Sequence, residues 1–203
     1  MPVMNYLREH DDEPESIEEI SKEGYGGVLC IETGGPTPGL GCAGRGIIAA
    51  LEELEKKGAY EKYQPDVVIY DVLGDVVCGG FSMPMRKGYA DKVFIITSGE
   101  SMSVYAAANI AMAVENFKSR GYASLGGFIL NKRNVKNEDE KAAELAADFH
   151  SSVIAEIDRS DLVSEAEDMR KTVMEAFPDS TAAEQYRALA DKIAELCGIG
   201  EEK

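Results

Sequence analysis

Short apolar runs alternate with helix-periodic stretches from residue 27 to residue 197, and this alternation restricts the fold more than any other feature of the chain. Gly27-Val28-Leu29-Cys30-Ile31, Asp66-Val67-Val68-Ile69-Tyr70-Asp71, Lys92 to Thr97, Gly127 to Leu130 and Ser152 to Ile157 read as strands. The β-branched run at 66–71 reads as one covered on both sides. Ile47 to Lys57, Ser101 to Ser119, Glu138 to His150 and Thr181 to Cys197 read as helices. In the first of these, Ile47, Leu51 and Leu54 share a face, and the pattern stops at Gly58. Strands and helices in this order predict an α/β fold, a parallel sheet with helices on both faces. No internal repeat or low-complexity linker interrupts it, so residues 1–203 read as one domain with its core over 25–197. Residues 1–24 read as a solvated acidic segment, with an amphipathic helix at Met4 to His10 and a capped turn at Ser16 to Ile20.

Charge narrows the range of partners. Twenty-one Lys and Arg stand against 37 Asp and Glu, a net charge of −16 at pH 7. A field of that sign repels phosphate backbones and anionic lipid, so neither nucleic acid nor a membrane is expected as a partner. Met1 to His10 lacks the apolar core of a signal peptide, and no apolar run reaches the ~18 residues of a spanning helix, so a cytoplasmic protein is expected. Four cysteines are too few and too scattered for a disulfide scaffold.

In open α/β sheets, ligands collect beyond the C-terminal ends of the strands. Two such segments carry unusual chemistry. Residues 34–46, GGPTPGLGCAGRG, hold six glycines and two prolines in thirteen positions and lead straight into a helix. Glycine density lets backbone N–H groups approach a ligand, and a helix start favours both a thiolate at Cys42 and a bound anion. The second, Asp71-Val72-Leu73-Gly74-Asp75-Val76-Val77-Cys78-Gly79-Gly80-Phe81, again sets a cysteine beside a glycine pair. The 36-residue spacing from Cys42 to Cys78 matches neither a zinc ribbon nor a ferredoxin run. Two readings of these thiols stand side by side: buried core cysteines, or two ligands of an iron–sulfur cluster completed by a second chain on a two-fold axis. Asp71-x-x-Gly74 is likewise either an ordinary turn or the strand-end carboxylate and glycine with which P-loop NTPases hold magnesium and sense the terminal phosphate. Cys30 and Cys197 read as packing residues, and His10 and His150 as surface residues.

IETGGPTPGLGCAGRGIIAALEELEKKGAYE followed by YDVLGDVVCGGFSMPMR closely resembles the nitrogenase iron protein family. The resemblance continues through Ser98-Gly99-Glu100, LGGFILNKRN at 125–134, Thr172-Val173 and EQYRALA at 184–190, and so covers about residues 4–197. It implies a homodimeric, P-loop NTPase-like protein with one 4Fe–4S cluster bridging the subunits and Mg-ATP as nucleotide, acting on a nitrogenase or nitrogenase-like catalytic component. Residue by residue, it implies that Cys42 and Cys78 are the cluster ligands. Asp71 faces magnesium, Gly74 belongs to the switch segment, and Asp75 orients or activates the attacking water. Arg45 would dock on the electron acceptor. Asn131 and Tyr186 fall where the family contacts adenine, though as residues they read equally as a strand-end cap and a packed helix tyrosine.

The chain also departs from the family. It contains no Gly-Lys dipeptide, so the phosphate loop ending in Gly-Lys-Ser or Gly-Lys-Thr is missing, and with it the strand that precedes that loop. A fragment is expected, catalytically inert alone; the alternative is a truncated form that takes the missing piece in trans. Ser160 and Ser164 stand where many members carry Asp and Gln near the nucleotide. This leaves open a nitrogenase-like reductase component for tetrapyrrole or cofactor biosynthesis; a regulatory P-loop ATPase without redox chemistry, which needs no paired glycine-flanked cysteines, is a separate alternative.

Overall fold

The computed structural model describes residues 1–10, 13–35, 43–74, 83–86 and 88–200. Their contacts divide into two compact units, Met1–Pro84 and Met85–Lys203.

The first unit is built from α1 (Val3–Glu9), β1 (Ser21–Glu23), β2 (Leu29–Ile31), α2 (Ala43–Lys56) and α3 (Ala59–Tyr63). Its buried cluster is Val3, Ile17, Ile20, Ala50 and Ala59, with Tyr6, Leu7, Ile31 and Leu54 packed around it. This corrects the expectation of a purely solvated segment at 1–24. Val3 and Leu7 share a face at i, i+4, and Ile17 and Ile20 share one at i, i+3, so few apolar residues among many charges still make an inward stripe. Val3 N–H donates to the Glu32 carbonyl at 2.9 Å and Met4 N–H to Thr33 at 3.0 Å, tying α1 to the chain after β2.

The strand expected at 27–31 is shorter and less covered than its sequence suggests. β2 pairs antiparallel with β1, Ser21 opposite Ile31 and Glu23 opposite Leu29, while Val28 and Cys30 are exposed. The run at 66–71 forms no strand, and Val67, Val68 and Ile69 are exposed by 47%, 42% and 83%. β-branched residues favour a strand only where a neighbour pairs the backbone and a layer covers the side chains. Among the described residues, 66–71 has neither.

The second unit holds the parallel sheet. β3 (Lys92–Thr97), β4 (Ser124–Asn131) and β5 (Val153–Ile157) pair in that order, with Ile95 opposite Phe128, Ile96 opposite Ile129 and Asn131 opposite Ile157. Phe128, Ile129 and Leu130 are all buried, and because successive side chains point to opposite faces, β4 is covered on both. One layer is α4 (Ser101–Lys118) and α5 (Glu138–Asp148), whose Ala107, Ala111, Leu145 and Ala146 pack on Ile95 and Phe128. The remaining helices are α6 (Leu162–Asp168), α7 (Val173–Ala176) and α8 (Thr181–Cys197), of which α8 packs along β5. Ile96, on β3 at one end of the sheet formed by the described residues, is 65% exposed.

Gly127, opposite Phe94 just past the register shift between β3 and β4, sits at φ +142°, and a Cβ there would lie 2.5 Å from Ile154 Cγ2. Cys197 ends α8 and is exposed, and with Cys30 it corrects the expectation that both cysteines pack in the core. The buried residues of α8 are Ala182 and Ala183, in its first turn, so the helix ends facing water. His10 and His150 are exposed, as expected, and His10 stacks on Tyr6 with ring centroids 4.1 Å apart.

Candidate functional site

The two flanks of the glycine-rich segment are held by α1. Gly46, in the first turns of α2, is buried, and a Cβ there would meet Met4 Cγ at 3.4 Å and the Gly34 carbonyl at 3.5 Å. Arg8 donates to the Met4 carbonyl at 2.8 Å and to the Gly35 carbonyl at 2.9 Å. Arg8 thus ties the entry to the segment at Gly35, and α2 packs against Met4 of α1 at Gly46, just beyond its exit. Cys42 itself lies outside the described residues, as do Asp75 and Cys78, and so does the side chain of Arg45. Asp71 and Gly74 are exposed in the irregular stretch of the first unit. Among the described residues, no group of three or more His, Cys, Asp or Glu side chains is placed to hold a metal ion.

The C-terminal end of the parallel sheet is more tightly specified. Ser98-Gly99-Glu100 links β3 to α4, and the Ser103 hydroxyl accepts the Ser98 N–H at 3.0 Å. A Cβ on Gly99 would lie 2.9 Å from the Glu138 Cα and 3.1 Å from the Val135 Cβ, so this loop touches the start of α5 backbone to backbone. Lys141 Nζ donates to the Gly99 carbonyl at 2.8 Å. Glu138 is buried, and its carboxylate accepts the N–H groups of Arg133 at 2.9 Å and Val135 at 3.3 Å, fixing the loop that leaves β4. The Glu100 carboxyl is held below its ordinary range by the Ser98 hydroxyl first, then by its own backbone N–H, with smaller help from Arg133 and Lys141.

Asn131 ends β4 exposed, and Lys132 follows it. Lys132 Nζ pairs with Asp139 at 2.8 Å and Glu156 at 2.6 Å, and these two carboxylates, Asp139 first, raise its ammonium pKa. Its backbone N–H donates to the Ile157 carbonyl at 2.8 Å. Beyond Ile157, Asp158 and Gln185 exchange two hydrogen bonds: the Asp158 N–H donates to Gln185 Oε1 at 3.1 Å, and Gln185 Nε2 donates to Asp158 Oδ2 at 2.8 Å. Tyr186, next on α8, is 36% exposed. The second unit thus brings Asn131 and Tyr186 to the same end of its sheet. Sequence reasoning missed Lys132, Glu138, Asp158 and Gln185. Glu138 had a readable signal, an acidic first turn at a helix start, whereas Asp158 and Gln185 are 27 residues apart with no local pattern joining them.

A family model described as 4Fe-4S iron sulfur cluster binding proteins, NifH/frxC family, matches residues 1–198. The chain is 47% identical over 193 residues to a nitrogenase iron protein of Methanospirillum hungatei, a match covering 94% of this chain and 68% of that one. It is 49% identical over 191 residues to nitrogenase iron protein 2 of Methanothermobacter thermautotrophicus, covering 94% and 69%. Among solved structures, the MinD cell division protein of Aquifex aeolicus superposes with a TM-score of 0.57 at 15% identity, covering 89% of this chain and 70% of that one. That likeness is one of fold alone, and it agrees with the P-loop NTPase-like α/β architecture expected from the sequence.

Proposed function

The chain belongs to the NifH/frxC family of 4Fe-4S iron–sulfur cluster binding proteins, and on that premise we propose that it is the ATP-dependent component that passes electrons to a nitrogenase or nitrogenase-like reductase. The observation that carries this reading is the family match over 1–198, which spans both glycine-flanked cysteines. Relatives named nitrogenase iron protein at 44–49% identity support it.

Cys42 and Cys78 would hold the cluster. The donor set fits in kind: two thiols in glycine-rich segments, whose peptide N–H groups suit hydrogen bonds to inorganic sulfur. The anchoring of Gly35 and Gly46 on α1 supplies a stable base for the first of them. Two thiolates per chain leave a four-iron site half-ligated, so a second copy completes it across a two-fold axis, and the working unit is a homodimer. When bound, the cluster supplies one-electron redox chemistry.

The remaining steps fall to this chain's own groups. In a complete nucleotide site, the Asp71 carboxylate would face the magnesium of Mg-ATP, and Asp75 would orient the attacking water and accept its proton. Gly74 would allow the backbone close to the terminal phosphate, while Asn131 and Tyr186 would hold the adenine. Asp75 lies three residues before Cys78, so a shift at the phosphate end reaches the thiol through a short stretch of backbone. Arg45, in the first turn of α2, docks on the electron acceptor. Residues 1–203 act as one family domain in the cytoplasm. With no Gly-Lys-Ser or Gly-Lys-Thr among them, this chain alone binds phosphates weakly and does not hydrolyse ATP.

Anaerobic reconstitution with iron and sulfide tests the reading. The wild-type chain is expected to turn brown, with the broad visible absorption of a 4Fe–4S protein, and Cys42→Ala and Cys78→Ala are each expected to stay colourless. Retention of the full absorption by either variant removes that residue from the ligand set and overturns the reading.

A further inference from the structure

The exchange of hydrogen bonds between Asp158 and Gln185 does more than close a loop. Asn131 ends β4 and Lys132 follows it; the Lys132 N–H donates to the carbonyl of Ile157; Asp158 follows Ile157 and is tied twice to Gln185; Tyr186 follows Gln185. One unbroken path of backbone and hydrogen bonds therefore joins the two candidate adenine contacts. At the start of α8, the buried residues Ala182 and Ala183 pack with α6 and α7 residues such as Ala166 and Val173, and the helix runs along β5. Among the described residues, the side-chain hydrogen bonds that tie the end of the sheet to the Tyr186 turn are those of the Asp158–Gln185 pair.

We propose that the Gln185–Asp158 clasp is a positioning device for the adenine site, setting Tyr186 relative to Asn131. This rests on the reading above that Asn131 and Tyr186 contact the base. The amide is suited to the task because it accepts with Oε1 and donates with Nε2 at once, whereas a carboxylate at 185 would accept from the Asp158 N–H yet face the Asp158 carboxylate with like charge. Gln185 acts through Tyr186 and touches no substrate.

The test uses the 203-residue chain and adenosine, which needs no phosphate loop, with binding followed by 15N–1H NMR. In the wild type, adenosine is expected to shift the backbone signals of Asn131, Asp158 and Tyr186, saturating at millimolar concentration. Gln185→Glu is expected to weaken adenosine about tenfold or more, the effect of losing roughly one charge-assisted hydrogen bond. It should also speed hydrogen exchange at the Asp158 N–H while leaving the Phe128 to Leu130 amides protected. Adding Asp158→Asn to Gln185→Glu reverses donor and acceptor across the clasp and is expected to restore both affinity and protection, a rescue that mere helix packing does not produce. If adenosine shifts Asn131 and Tyr186 in the wild type and all variants bind it equally, the clasp proposal is overturned and the base site stands. If saturating adenosine shifts neither residue in the wild type, the base-site reading falls and takes the clasp's role with it.

Discussion

Gly99→Ala isolates the close approach that shapes the C-terminal end of the sheet. The Gly99 φ lies outside the left-handed region, so an alanine there carries no intrinsic backbone penalty, and any effect comes from its Cβ. That atom would sit 2.9 Å from the Glu138 Cα and closer still to the Glu138 Cβ, neither of which is the tip of a flexible side chain. Forcing a methyl group into a packed site costs about 1–3 kcal/mol. The displaced α5 start would also loosen the Glu138 carboxylate from the Arg133 and Val135 N–H groups, adding about 1 kcal/mol. We expect a loss of about 2–4 kcal/mol, read from urea unfolding followed at the Phe128 to Leu130 amides. A double-mutant cycle with Glu138→Gly, which removes one of the colliding atoms, should return about 1–2 kcal/mol as coupling. A Gly99→Ala protein within about 0.5 kcal/mol of wild type, the range of an unremarkable surface change, would refute the backbone-to-backbone contact.

Phe128→Ala removes a fully buried ring that packs among Ile95, Ala107, Ala111 and Leu145, and about 3–5 kcal/mol of stability should go with it; a urea midpoint unchanged from wild type would contradict that core. In the first unit, hydrogen bonding to Lys62 first, and also to its own backbone N–H, Tyr63 and Ser16, holds the Glu18 carboxyl down to about 2 from 4.5. Because the folded value is lowered, any stability this group contributes is present above pH 4.5 and fades as pH falls toward 2. Carbon-13 titration should place the Glu18 midpoint near 2 at low salt, and Lys62→Met should move it toward 4.5; an unmoved midpoint would remove Lys62 as the main cause.

Much of the second unit was legible because its elements satisfy local rules and tertiary needs together. Lys92–Thr97 and Thr181–Cys197 form as their patterns predict. The first is an uninterrupted β-branched and aromatic run paired along one side; the second is a helical stretch started by the Ser180 hydroxyl accepting from Ala183. Residues 66–71 carry an equally strong strand signal and do not form one, because pairing is a property of neighbours and a single segment cannot encode it. Val3, Ile17 and Ile20 were misread in the opposite sense: the charges around them dominate composition, while burial depends on which face each occupies. In the candidate site, the glycine-flanked cysteines and Asp71-x-x-Gly74 announce themselves by motif. Asp158 and Gln185 do not, since only the topology of β5 and α8 makes them adjacent.

Native mass spectrometry of the anaerobically reconstituted chain addresses the central claim most directly, because it counts polypeptides and inorganic atoms in one particle. The account predicts a dimer carrying a single unit of four iron and four sulfide, dissociating to cluster-free chains when Cys42 or Cys78 is replaced. A monomer that retains four iron and four sulfide, or a dimer carrying one such unit in each chain, would contradict it.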